Sequence, residues 1–344
     1  MRRRTIRVVA GVGAVIFLFV VWFALQAHPL GGPGRLVVVT VKPGDSISTI
    51  AGEMHAQGVI ASPFAFRLDT ELFGSLTVSP GAYQIAQNSS FAHVRAVFGA
   101  PPNVNVIDVT PGVTLHEVFL TLVADRGSRY ADDFLGAAAA MARTSPYHPN
   151  LDPPFVSGRE QNVSALEGLV GVGTYLLTPH ESALSLATAM TAGFVTEAAS
   201  VGFSPSTTVN GLSAYQLVIA ASIVEREGYY PQNMPRVARV IFNRLHRGGP
   251  LQMDSTVKYP LGLDAGAVTS AMLQTATPYN TYLHVGLTPT PICAVSATAL
   301  KAVLHAPPGP WLYFVVVDRR GNEAFATTYA QQLVNERRAA RVLG

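Results

Sequence analysis

The segment ASIVEREGYY, from Ala221 to Tyr230, places two glutamates two residues apart where an apolar run ends. A carboxyl group does proton chemistry near neutral pH when burial keeps it protonated. Helical geometry separates the two acids. At about 100° per residue, Glu227 projects between Ala220 and Ile223, one turn beyond Val224, on the apolar face of its helix. Glu225 projects nearer Val218 and Ser222, at the border of that face, and Arg226 projects to the opposite, solvent side. Glu227 is therefore the better candidate for a raised pKa and for general-acid work. The plainer reading is a frayed helix end with both acids solvated.

Other chemistries find no support in the residues. The nine histidines show no H-E-x-x-H or comparable ligand spacing, so neither metal nor cofactor is expected. G-x-S-x-G and a phosphate-cradling glycine loop are both absent. The single cysteine, Cys293, excludes an internal disulfide and reads as a small core residue within TPICAV. A net charge of +3, with Lys and Arg dispersed beyond the N-terminus, gives no nucleic-acid footprint.

The elements that must position Glu227 are legible around it. Ser213 and Gln216 form a capping box that starts a helix at Ala214, and Gly228 is placed to stop it. A second helix is expected from about Pro235 to Arg247, with Asn233 near its start and Val237, Val240, Ile241 and Leu245 on one face. WLYFVVVD and NEAFATTY flank Arg319–Gly321 as a β-hairpin, and a final helix is expected over Gln331–Val342.

Farther upstream, VVVTVKPGDSISTIAGEM has an echo in NVIDVTPGVTLHEVFLTL. In each, a strand pattern runs through Pro43-Gly44 or Pro111-Gly112 into an amphipathic helix, with Asp45 and Thr114 as N-caps. The turn-rich stretch Leu151–Val163 reads as a boundary. At the N-terminus, Arg2, Arg3, Arg4 and Arg7 precede eighteen uncharged residues, Val8–Leu25. With no clean A-x-A site after Leu25, this reads as a retained membrane anchor, with a cytoplasmic N-terminus and the remainder outside. Residues 1–28 thus form a basic stub and transmembrane helix, followed by modules over 35–102 and 103–160 and a main domain over 161–344. The expected fold class is α+β: a transmembrane helix, small α/β modules, then a mostly helical domain with a C-terminal β-hairpin.

Two resemblances add to this reading. VKPGDSISTIA is similar to the start of a LysM module, which implies either a sugar-gripping domain or a spacer of that fold. ASIVERE, VARVIFNRL, LQMDSTVKY, PYNTYLHVGLTPTPI and WLYFVVVD, in that order, resemble the catalytic domain of the MltG/YceG-like endolytic murein transglycosylases. The resemblance implies that Glu227 is the catalytic acid/base. It also implies glycan contacts from Glu225, Glu167, Tyr175, Asn243, Gln252, Asp254, Tyr279, Asn280 and Tyr282, although core packing or loop bracing is the plainer reading of each tyrosine and of Gln252 and Asp254. Peptidoglycan glycan strands would be the substrate, cut at the MurNAc–GlcNAc β-1,4 bond to leave 1,6-anhydro ends. The cell membrane and wall synthases or division proteins would be further partners. EGLVGVGTY (Glu167–Tyr175) departs from the family pattern by placing Gly171, Val172 and Gly173 at its aromatic, proline and aspartate positions. That departure keeps a weakly active wall-binding scaffold open as an alternative. A hydrolytic muramidase, with Asp254 or Glu167 as second carboxylate, is the other.

Overall fold

A computed structural model describes residues 2–147, 166–228, 230–263 and 266–343. The boundary expected at Leu151–Val163 and Tyr229 lie outside the described residues. The chain divides into two compact units: Met1–Val106 with Leu176–His180, and Ile107–Tyr175 with Glu181–Gly344.

In the first unit, helix α1 (Arg2–Ala27) leads into a two-stranded antiparallel sheet of β1 (Leu36–Val41) and β2 (Gly81–Ala86), in register from Leu36↔Ala86 to Val41↔Gly81. Two helices, α2 (Ile47–Ala56) and α3 (Pro63–Phe73), lie between the strands in sequence, and α4 (Phe91–Phe98) follows them. Serine side chains start all three of these helices, because a hydroxyl can take an amide hydrogen left free in the first turn. The N-cap of α2 is Ser46, which accepts from Thr49 N–H, rather than Asp45, whose carboxylate accepts from Lys42 N–H at 2.7 Å. Val39, Met54, Phe66, Tyr83, Phe91 and Phe98 fill the core, with Tyr83 stacked on Phe98 at 4.6 Å. The strand–turn–helix beginning is present, and the likeness to a LysM module rests on that phrase alone.

The membrane anchor requires correction. Among the described residues no helix is long and apolar enough to cross a membrane, so neither the single span nor the single-pass placement stands. The physical reason lies at the end of α1. Phe23 packs edge-on against Phe91 at 6.3 Å and near Phe73 at 6.5 Å, Trp22 lies 6.4 Å from Phe64, and Ala27 is buried. Phe23 and Ala27 are thus taken up by the core of this unit at the end of the apolar run, which shortens what is left for a bilayer.

The second unit is mostly helical, and the α+β class holds for the chain. It contains α5 (Leu115–Arg126), α6 (Ser128–Thr144), α7 (Ala183–Ser200), α8 (Ala214–Glu227) and α9 (Met234–His246). Short helices α10 (Asp254–Lys258) and α11 (Ser270–Leu273) follow, then α12 (Ala297–Leu304) and α13 (Tyr329–Leu343). Strand β3 (Asn105–Val109) pairs with β4 (Gly173–Leu177), and of the two strands residues 107–109 and 173–175 fall in this unit. The hairpin of β5 (Tyr313–Val316) and β6 (Glu323–Ala326) is antiparallel, with Tyr313↔Ala326 and Val316↔Glu323. At its turn the Asp318 carboxylate accepts from Arg320 N–H and Asn322 N–H.

Helix α8 is the axis of this unit. Its capping box forms as the sequence predicts, and every residue from Ala214 to Val224 except Gln216 is buried. A helix apolar on all sides has to be surrounded, and α9, α10 and α12 pack around it. Cys293 is buried beside it and donates weakly to the Ser222 carbonyl at 3.4 Å. The solvent position expected for Arg226 is a further correction, because its Nη1 donates to the Gly112 carbonyl at 2.9 Å.

Candidate active site

Glu227 is the last residue of α8, three residues past the end of its buried run, and is itself half-buried. The backbone turns away at once. A Cβ on Gly228 would stand 2.7 Å from Met234 Cγ and 2.9 Å from the Val224 carbonyl oxygen, so the turn accepts glycine and crowds anything larger. Ser255, in the first turn of α10, donates its N–H (2.9 Å) and its hydroxyl (2.6 Å) to Glu227 Oε1. Burial raises the Glu227 pKa above the ordinary glutamate value, the Ser255 hydrogen bonds oppose that rise, and the Asp254 charge adds to it. The negative end of the α8 dipole acts in the same direction as burial.

Glu227 opens onto a cavity of about 370 Å³. Arg244, Gln252, Met253, Asp254 and Tyr282 line one part of it, and Tyr313, Phe314, Val315, Tyr329, Gln332 and Glu336 line the rest. Tyr282 donates its hydroxyl to Asp254 Oδ1 at 2.7 Å, and burial and that carboxylate both push the phenol pKa up. Gln252 is exposed in the cavity wall and holds a left-handed φ of +50°, which a non-glycine residue rarely adopts. Its N–H donates to the Thr281 carbonyl at 3.0 Å, which holds it there and joins the segment before α10 to the segment carrying Tyr282. Thr281 strengthens the join by accepting from Met253 N–H at 3.1 Å and sharing a 2.7 Å hydroxyl contact with Thr256.

Arg244 holds two sides of the cavity. Its Nε donates to the Leu312 carbonyl at 2.7 Å, its Nη1 donates to the Leu251 carbonyl, and its guanidinium lies 5.3 Å from the Tyr313 ring centre. Burial lowers its pKa from the usual arginine value.

Of the residues named from the sequence, Glu227, Gln252, Asp254 and Tyr282 meet at this cavity. The others do not line it. Asn280 is buried and braces the turn before Tyr282: its Nδ2 donates to the Leu273 and Thr275 carbonyls, and its Oδ1 accepts from Tyr282 N–H. Tyr279 is fully buried, sharing a 2.7 Å hydroxyl contact with Thr290 and packing 5.1 Å from Tyr259. Asn243 Nδ2 donates to the Gly309 and Trp311 carbonyls. Glu225 accepts from Ser296 N–H and Oγ–H at the start of α12, where burial raises its pKa against those bonds. Glu167 is fully buried and accepts from Leu115 N–H (3.0 Å) and the Tyr259 hydroxyl (2.9 Å).

The unusual EGLVGVGTY segment also lies away from the cavity lining and is firmly tied. Gly171 N–H donates to the Met190 carbonyl, Val172 N–H to Glu197, Tyr175 OH to the Gly171 carbonyl and Thr174 Oγ1 to Asp108. Ser255, Arg244 and the lining residues of β5 and α13 are site residues that sequence reasoning does not reach. Ser255 and Arg244 stand inside LQMDSTVKY and VARVIFNRL, so their segments carry a signal, whereas Gln332 and Glu336 sit in a helix with none beyond its amphipathic pattern.

This geometry defines an inward-facing carboxyl acid in a polar, aromatic-flanked cavity at the end of a buried helix. A sequence profile of the YceG-like family matches residues 39–338, and the chain belongs to that family. It is similar to the endolytic murein transglycosylase of Bacillus subtilis (strain 168), 26% identical over 291 residues, covering 81% of this chain and 78% of that protein. It is also similar to the endolytic murein transglycosylase of Streptococcus pneumoniae (strain ATCC BAA-255 / R6), 30% identical over 311 residues. That alignment covers 85% of this chain and 56% of the pneumococcal protein. Among solved structures, a yceG-like protein from Listeria monocytogenes matches with a TM-score of 0.56 and 23% identity, over 88% of this chain and 99% of that one, a likeness of fold.

Proposed function

We propose that this chain is an endolytic peptidoglycan transglycosylase in which Glu227 acts first as acid and then as base. The observation that carries the reading is the half-buried Glu227 carboxyl, raised in pKa and fixed by Ser255, at the wall of a cavity of about 370 Å³. The names of the two relatives support the substrate class.

Protonated Glu227 gives its proton to the oxygen leaving C1 of N-acetylmuramic acid, and the C1–O4 bond breaks. The 6-hydroxyl of the same sugar then attacks C1 and passes its proton to the Glu227 carboxylate. One C–O bond breaks and one forms, the acid is regenerated, and water is not consumed. Gln252, Asp254 and Tyr282 are the proposed glycan contacts from this wall. Glu225, Glu167, Tyr175, Asn243, Tyr279 and Asn280 act on the glycan through the elements they brace. The test digests purified glycan strands with wild type and Glu227→Gln and weighs the ends. Anhydro ends made by wild type alone support the reading, reducing ends show hydrolysis, and no cleavage by either protein rejects it.

A further inference from the structure

Helix α13 brings to the cavity a face that the mechanism above does not use. Gln332 is only 6% exposed, and its Nε2 donates to the Phe314 carbonyl (3.2 Å) and to Glu336 Oε1 (3.1 Å). Both partners are pure acceptors, so the amide cannot be reversed in place. Gln332 Oε1 is consequently left buried with no hydrogen-bond partner among the described residues. Buried polar atoms are nearly always paired, so an unpaired acceptor on a side chain lining a cavity marks a place for an occupant's donor. One turn away on either side stand Tyr329, 60% exposed, and Glu336, also exposed. The Tyr329 ring lies 6.0 Å from that of Tyr313 at 53°, which gives the cavity an angled aromatic corner.

Saccharides suit such a wall, since each ring has an apolar C–H face and a rim of O–H and N–H donors. We propose, resting on the function above, that Tyr329, Gln332 and Glu336 hold one saccharide of the strand beside Glu227. The aromatic corner covers a ring face, Gln332 Oε1 accepts a sugar donor after a small side-chain shift, and the Glu336 carboxylate accepts another. Gln332 also holds Glu336 in place through their hydrogen bond.

The test measures binding of purified, peptide-free glycan strands by calorimetry, with Glu227→Gln as the inert parent. Added Tyr329→Ala and Gln332→Met are each expected to weaken binding about tenfold, the loss of one good contact, and Glu336→Ala severalfold. Melting curves check the fold. If Gln332→Met does not fold, the exposed positions Tyr329 and Glu336 decide. Variants that bind as the parent does overturn the inference, as does a parent that binds no glycan. A parent that binds while wild type leaves every strand uncut instead overturns the proposed reaction and leaves this wall intact.

Discussion

Ser255 donates both its backbone N–H and its hydroxyl to the same oxygen of Glu227, at 2.9 and 2.6 Å. Two donors on one oxygen favour the carboxylate, while burial favours the acid. The protein therefore holds Glu227 between opposing influences, as suits a group that gives up a proton and takes it back. Ser255→Ala removes one donor and should move the alkaline limb of the kcat/KM profile to higher pH, with kcat reduced about tenfold. A profile that superimposes on wild type rejects this role.

Glu227→Gln should abolish cleavage, by at least about 10²-fold, and yet stabilise the fold. The raised pKa means that the folded chain binds this proton more tightly than the unfolded chain does. Its contribution to stability is thus fully present below the unfolded value of about 4.3 and is lost as pH rises from there through the folded pKa. At neutral pH the glutamine variant should melt higher than wild type, and in acid the difference should vanish. Melting scans at several pH values test the sign.

Glu167 takes two donors in a fully buried site, from Leu115 N–H and Tyr259 OH. Glu167→Ala should cost about 2–4 kcal/mol, because it leaves those donors buried and unmet. Below its melting temperature, the variant should keep kcat within about tenfold of wild type, as a positioning group acts at a distance. Denaturant melts paired with rates separate these outcomes.

Gly171 and Gly193 show how tightly the EGLVGVGTY segment lies against α7. A Cβ on Gly171 would stand 2.4 Å from Gly193 C and Phe194 N, whereas one on Gly193 meets chiefly the Tyr175 hydroxyl at 2.3 Å. Backbone cannot yield as a tyrosine tip can. Gly171→Ala should therefore cost more than about 3 kcal/mol, and Gly193→Ala, helped by better helix propensity, about 1–2. Equal losses would show that the segment gives way.

What the sequence discloses follows the range of each interaction. The capping box of α8, the hairpin and the inward face of Glu227 depend on neighbours within a few residues, and they are readable from them. The N-cap of α2 differs from expectation by one position, because Asp45 and Ser46 both offer a suitable oxygen and only the turn geometry chooses between them. Arg226 escapes a periodicity argument because its partner, the Gly112 carbonyl, is 114 residues away. The anchor reading fails because hydropathy cannot register that Phe23 is claimed by Phe91 and Phe73. Gln332 and Glu336 are unreadable as cavity-lining residues for the same reason: Gln332 is placed there by the Phe314 carbonyl of β5, and Glu336 by Gln332, which periodicity does not encode.

Arg244→Lys should lower both stability, by about 2–3 kcal/mol, and activity, since an ammonium cannot reach two carbonyls in a planar fork. Joint measurement of melting and cleavage tests it.

That fork reaches the Leu251 carbonyl on one side and the Leu312 carbonyl on the other. One runs into Gln252 and Asp254, the other into the first strand of the hairpin. The Arg244 guanidinium therefore spans the gap between those two segments, much as a spacer holds the opening of a jaw. The breadth of the cavity depends in part on the length of this one side chain, so a shorter cation there would let its two edges part.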